Sequence, residues 1–172
     1  SVNPPGSDHD SVEPAPDGES RRKRRPHRTA RKAAMDLLAR REHSRQELES
    51  KLRRRFDAQE LATALETLAE EDLQSDERFA ASFTRERVLR GYGPRRIEAE
   101  LKQRGVASPH IDRALLEVPQ EESLTWRDVA RDAEAKKFGP APPTDYESKA
   151  RRMRFLYRRG FAVDDMDFAD DD

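Results

Sequence analysis

The residue types that most often carry chemistry are present in this sequence, but they do not form a catalytic or metal-binding pattern. The four histidines, His9, His27, His43 and His110, lie far apart, and none has a partner at the spacing of metal ligands. Ser44 follows His43 directly, but its position at the start of a predicted helix explains it as a helix cap. We therefore predict that the protein is not an enzyme and needs neither a cofactor nor a metal ion.

A glycine-rich turn at residues 91–94 superficially suggests a phosphate-binding loop. No strand precedes it, however, and Pro94 lacks the amide hydrogen that such a loop would use. Tyr92 lies between two glycines, where it either contacts a partner or folds back on the neighbouring helix. The sequence leaves both alternatives open.

The strongest functional signal is a recurring excess of basic residues on particular predicted helices. Residues 147–159 contain six lysines and arginines and one acidic residue, Glu147. Favourable interaction with the helix dipole explains basic residues near a helix C-terminus, but not their recurrence on the corresponding helix of each repeat. If the helices align, they form a positive ridge suited to DNA phosphates or to an acidic protein groove. The candidate contact residues are Tyr92, Arg95, Arg96, Lys102, Arg104, Lys149, Arg151, Arg152, Arg154 and Arg158.

Composition limits the remaining possibilities. The 172 residues are 34% hydrophobic and 40% charged, which leaves little material for a thick core. The chain contains no cysteine, and no apolar run approaches the roughly 20 residues of a membrane span. We expect a cytoplasmic monomer without a membrane partner.

The elements that position the basic residues are helices in a threefold repeat of about 50 residues. Leu52, Leu101 and Leu156 occupy equivalent positions in the middle helix of each unit, and apolar residues follow each of them at similar distances. Each unit alone is expected to be too small to bury its own apolar faces. The predicted fold is an all-α, elongated and curved array of three tandem three-helix repeats, which resemble helix-turn-helix units.

The predicted boundaries follow from changes in composition and periodicity. Residues 1–28 form an acidic-then-basic tail that we expect to be disordered, and its basic end is either a nucleic-acid-binding arm or a solvated segment. The repeats span residues 29–73, 74–120 and 121–172, and the last has an acidic C-terminal end.

Several helix boundaries are also specific predictions. Ser44 and Glu47 form a capping box at the start of one helix, and Asp76 is expected to cap another. In the third repeat, residues 146–159 are predicted to form the middle helix and residues 162–168 a short last helix.

Sequence-specific DNA reading by the third helices is disfavoured. In helix-turn-helix proteins the N-terminal residues of the last helix enter the major groove. Here acidic residues occupy or follow those positions, as at Asp57, Asp112 and Asp164, and phosphates would repel them. Contact with the nucleic-acid backbone through the middle helices remains open.

Three segments taken together resemble the RecX family, whose members modulate the RecA recombinase. The segments, in the order of the family, are SRQELESKL, ERFAASFTRERVLRGYGPRRIEAELKQRGV and KARRMRFLYRRGF, and the likeness covers about residues 29–168. It implies tandem three-helix repeats that bind in the groove of the RecA filament on single-stranded DNA. It also implies inhibition of the ATPase, strand-exchange and co-protease activities of RecA. The first repeat departs from the pattern, because Arg55-Phe56 stands where the others end their middle helix with glycine.

Two further function classes remain open from the residues alone. One is a general nucleic-acid-binding protein that acts mainly through direct contacts with DNA phosphates. The other is an assembly scaffold that neither binds DNA nor inhibits a recombinase.

Overall fold

The computed structural model describes Val2 and residues 28–167, and this part of the chain folds into eight α-helices and one short 3₁₀ helix. The prediction of disorder for residues 1–28 therefore falls almost entirely outside the described residues, as does the acidic end at 168–172. The helices are α1 (Ala30–Arg40), α2 (Arg45–Leu52), α3 (Ala58–Glu70), α4 (Asp76–Leu89), α5 (Pro94–Gln103), α6 (Ser108–Glu121), α7 (Trp126–Phe138), α8 (Tyr146–Arg158) and the 3₁₀ helix α9 (Val163–Asp165).

Local capping determines where most of these helices begin. The Ser44 hydroxyl accepts a hydrogen bond from the Glu47 amide, and the Glu47 carboxylate accepts one from the Ser44 amide, so the predicted capping box is confirmed. Helix α4 differs from the prediction, because its cap is Ser75 and Asp76 is its first helical residue. Pro94 occupies the first turn of α5, where the absence of an amide hydrogen costs nothing.

The hydrophobic core is divided unequally among the repeats. In the first repeat, Ala30, Ala34, Leu48, Leu52 and Leu65 are buried in a cluster of their own. The expectation that a single unit could not bury its apolar faces alone is therefore wrong for this repeat. Its cluster draws on all three of its helices, α1, α2 and α3.

The second and third repeats share one core. Phe79 and Leu101 of the second repeat lie in the same buried cluster as Val129, Leu156 and Phe161 of the third. Trp126 is half-buried and packs against this cluster. The shared core joins these two repeats through apolar contacts that the first repeat lacks.

The junction between the first and second repeats is polar. The Arg78 guanidinium contacts the Glu42 carboxylate at 2.9 Å, and the Arg45 amide donates to the Asp76 carboxylate at 2.9 Å. The Gln74 side-chain amide also donates to the His43 carbonyl at 3.3 Å. Hydrogen bonds and ion pairs therefore provide much of the contact between the first and second repeats.

The third repeat ends differently from the prediction. The expected helix at 162–168 is a 3₁₀ turn of three residues, Val163–Asp165, followed by the buried side chain of Met166. Asp167 pairs with Arg131 of α7 at 2.9 Å, which ties this end of the chain to the first helix of the repeat. Among the described residues, no helix is both long enough and apolar enough to cross a membrane.

Candidate partner-binding surface

The end of α8 is docked on the beginning of α5. The Gly93 amide donates to the Arg159 carbonyl at 2.7 Å, and the Arg95 amide donates to the Gly160 carbonyl at 3.0 Å. A side chain at Gly93 would place its Cβ 2.5 Å from the Gly160 carbonyl carbon, so glycine is required for this approach. Two amides at the start of α5 therefore bind the end of another helix, which leaves them unavailable to a phosphate.

The end of α5 meets the beginning of α2 in a similar way. The Ser44 hydroxyl donates to the Arg104 carbonyl at 2.8 Å, and the Gln46 side-chain amide donates to the Gln103 carbonyl at 2.8 Å. Carbonyl groups that a helix end leaves unsatisfied thus find donors at the start of the next middle helix. The three middle helices form a column in the order α8, α5, α2, in which each C-terminal end contacts the next N-terminal end.

One face of α8 carries three exposed arginines. Arg151, Arg154 and Arg158 are spaced by three and four residues, which places them on one side of the helix. None of the three forms an ion pair or a hydrogen bond with another described residue. Their guanidinium groups remain available to anionic partners.

Arg95 lies across the junction from this set, at the start of α5. Its amide binds the carbonyl of Gly160, two residues after Arg158, and its side chain is exposed without an ion-pair partner in the described chain. We call Arg95, Arg151, Arg154 and Arg158 the basic stripe.

Other candidate residues of α5 take part in local ion pairs. Lys102 contacts Glu98 at 2.8 Å, and Arg96 contacts Glu100 at 3.2 Å, each one helical turn away. Burial opposes ionisation of Glu100, but hydrogen bonds from Arg87 and Arg96 outweigh it and hold the pKa of this carboxyl below its usual value. These two basic residues are exposed, but part of their charge is already balanced.

Arg104 and Arg152 point into the protein. The Arg152 guanidinium contacts the Glu134 carboxylate at 3.0 Å, and the two side chains are only 12% and 11% exposed. The Arg104 guanidinium lies 4.7 Å from the centroid of the Phe83 ring and donates to the Glu100 carbonyl at 3.0 Å. Both arginines therefore hold helices together, and Lys149 is half-buried with a partner of its own.

Tyr92 adopts the second of the two alternatives left open by the sequence. Its ring packs against the shared core between the guanidinium groups of Arg96 and Arg159, at 4.2 and 4.5 Å from the ring centroid. Cation–π contacts of this kind stabilise the junction between the second and third repeats.

Most arginines on the outer helices have carboxylate partners, in contrast to the basic stripe. These pairs are Arg31 with Glu71, Arg78 with Glu42, Arg85 with Glu121, Arg87 with Glu100, Arg113 with Glu77, and Arg131 with Asp167. Unbalanced positive charge is thus concentrated on α8, at the start of α5 and at the end of α2, where residues 53–55 are all exposed.

The column of middle helices and the basic stripe define a class of protein: tandem three-helix repeats with exposed arginines on the middle helices that are unpaired within the described chain. Models of the three RecX domains match the chain in order. The first three-helix domain matches residues 30–68, the second 75–115 and the third 127–167. The chain belongs to the RecX family.

Sequence relatives agree with this assignment. The chain is 48% identical over 135 residues to the regulatory protein RecX of Pseudomonas putida strain KT2440, covering 78% of this chain and 84% of the relative. It is 47% identical over 135 residues to the regulatory protein RecX of Halorhodospira halophila, covering 78% and 81%.

Solved structures show the same fold. A crystal structure of a regulatory protein RecX is similar with a TM-score of 0.66 and 21% identity, covering 79% of this chain and 68% of the other. RecX from Lactobacillus salivarius has a TM-score of 0.64 and 20% identity, covering 79% and 88%. The prediction of an all-α array of tandem helical repeats is confirmed.

Proposed function

We propose that this protein binds the RecA nucleoprotein filament and inhibits its ATPase, strand-exchange and co-protease activities. Membership of the RecX family and the relatives' shared description as regulatory proteins support a regulatory role. The observation that supports binding through a particular surface is the basic stripe, because its four arginines are exposed and have no ion-pair partner among the described residues.

The stripe suits a long anionic partner better than a compact one. Guanidinium groups form forked hydrogen bonds with both carboxylates and phosphates, so they can contact recombinase side chains and bound DNA alike. Several weak contacts to one filament act together, because the first contact raises the effective concentration of the others. In this proposal the protein acts as a cytoplasmic monomer that occupies the filament and catalyses no reaction.

The test is RecA ATPase activity on single-stranded DNA, titrated with the wild type and with the triple variant Arg151→Glu, Arg154→Glu, Arg158→Glu. We expect the concentration for half-maximal inhibition to rise by at least about tenfold, since reversed charges repel the partner. Arg152 is left unchanged, because its reversal would place a carboxylate against Glu134 and disturb the fold.

A matched control distinguishes the effect of reversing charge on the basic stripe from the effect of changing the net charge of the protein. Lys32, Arg40 and Lys137 are exposed on α1 and α7, and their replacement by Glu changes the net charge equally. We expect this control to inhibit as the wild type does, with both variants showing wild-type helicity by circular dichroism. Equal inhibition by the stripe variant and the wild type at about 0.15 M salt would remove the stripe from the mechanism.

Direct DNA binding is the second candidate, and the same unpaired arginines favour it. Affinity for a single-stranded oligonucleotide without recombinase distinguishes the two. Tight binding that weakens steeply with salt, and whose strength accounts for the inhibition, would favour competition for DNA.

A further inference from the structure

A shallow open groove lies beside the basic stripe, between α8 and α9. It has a volume of about 400 Å³, and its lining consists of Met153, Arg154, Tyr157, Arg158, Val163 and Met166. Met166 is buried in the shared core, and Met153 packs against the edge of that core. The floor of the groove is therefore fixed by core packing.

The groove exposes apolar surface that nothing in the described chain covers. Tyr157 is 63% exposed and Val163 is 51% exposed, although both are large apolar side chains. Tyrosine and arginine are residue types enriched where protein interfaces gain most of their binding energy, and flexible methionines adapt to a partner's shape. These residue types favour a protein partner.

The two sides of the groove differ in charge. Arg154 and Arg158 form a cationic side on α8 without ion-pair partners among the described residues. On the α9 side the groove is lined by Val163 and Met166, which carry no charge, and the exposed Asp164 that follows Val163 in the chain is not part of the lining. A nucleic-acid strand carries a negative charge at every nucleotide, so a strand that crosses the groove would find cationic partners for its phosphates on the arginine side alone. A protein segment can instead place its carboxylates on the arginine side alone.

We propose that this groove binds a protein segment in which a bulky apolar side chain stands next to Asp or Glu. The apolar side chain packs on Met153, Tyr157 and Val163, and the carboxylate pairs with Arg154 or Arg158. The inference rests on the proposed function, because it takes the segment to be part of the recombinase. It deepens that function by assigning protein contact to this groove.

The first test replaces Tyr157 with the photo-crosslinking residue p-benzoylphenylalanine in the full chain. The variant is irradiated with RecA filaments on single-stranded DNA, and the crosslinked products are identified by mass spectrometry. We expect a recombinase peptide that contains a large apolar residue beside Asp or Glu. Crosslinks to DNA or to a second copy of this protein, with none to the recombinase, would overturn the proposal.

The second test removes apolar contact while leaving every charge in place. The double variant Tyr157→Ser, Val163→Ser is compared with the control Tyr146→Ser, Leu116→Ser, which removes a tyrosine and an aliphatic residue that are 85% and 63% exposed elsewhere. We expect the groove variant to lose at least about tenfold in affinity for the filament and the control to lose none. Affinity for a 30-nucleotide oligothymidylate should be the same in both.

The outcomes separate this inference from the proposed function. If charge reversal of the stripe abolishes inhibition but the groove variant binds filaments as the wild type does, the groove proposal fails and the proposed function stands. If the groove variant loses affinity for oligothymidylate to the same extent as for filaments, the occupant is a nucleic-acid base. If the wild type does not bind filaments, both proposals fail.

Discussion

Replacement of Gly160 by alanine should destabilise the protein by separating α8 from α5. Gly160 has a φ of +99°, where residues with a side chain are strained by about 1–2 kcal/mol. A Cβ at this position would lie 2.5 Å from the Arg96 Cβ and 2.6 Å from the Arg96 amide nitrogen. Carbon atoms in contact prefer about 3.5–4.0 Å, so α5 must move back by roughly 1 Å.

This movement would weaken the two hydrogen bonds that join the helices, from Gly93 to Arg159 and from Arg95 to Gly160. Each such bond contributes about 1 kcal/mol net, so strain and lost bonds together predict a destabilisation of about 3–4 kcal/mol. Urea unfolding followed by circular dichroism measures this loss.

Gly139 provides the matched control. Its φ of +88° is similar, but a Cβ there would meet no atom within 4 Å. With φ +88° and ψ 167°, Gly139 lies in a region that residues with a side chain rarely adopt, so Gly139→Ala should cost only the backbone strain of about 1–3 kcal/mol. Equal free energies of unfolding for the two variants would refute the claim that close helix docking requires Gly160.

Two further predictions concern groups inside the protein. Arg152→Ala should lower the free energy of unfolding by about 3 kcal/mol, because it leaves the Glu134 carboxylate unpaired in a nearly buried position. The control Arg151→Ala should change the free energy of unfolding by less than about 0.5 kcal/mol. Urea unfolding of both variants measures the difference, and equal small effects would contradict the structural role of Arg152. Burial lowers the pKa of His43 below 6.5, so the unfolded chain binds a proton before the folded one does, and stability should fall as the pH drops from 7 to 5.5. The variant His43→Gln should show a weaker fall in urea midpoint over this range, and an unchanged pH dependence would refute the role of His43.

Local sequence signals were sufficient for much of the fold. The capping box at Ser44 and Glu47 marks a helix start through bonds between residues three apart, and the structure contains both bonds. The repeated leucines, Leu52, Leu101 and Leu156, are all buried, because helical periodicity determines which side of a helix faces the core. Such features depend on neighbours along the chain and can therefore be read from it.

Features that depend on distant partners could not be read in this way. Arg151 and Arg152 are adjacent and identical in type, yet only Arg152 forms an ion pair, and its partner, Glu134, is on another helix. The docking of Gly93 on Gly160 likewise joins residues of different repeats. The surface position of the candidate contacts, and the division of the core into two clusters, follow from how the repeats pack against each other.

The most direct test is cryo-electron microscopy of a RecA filament on single-stranded DNA decorated with this protein. We predict that Arg95, Arg151, Arg154 and Arg158 face the filament, with guanidinium nitrogens within about 4 Å of carboxylate or phosphate oxygens. A complex in which these four arginines face solvent while α4 and α6 contact the filament would contradict it.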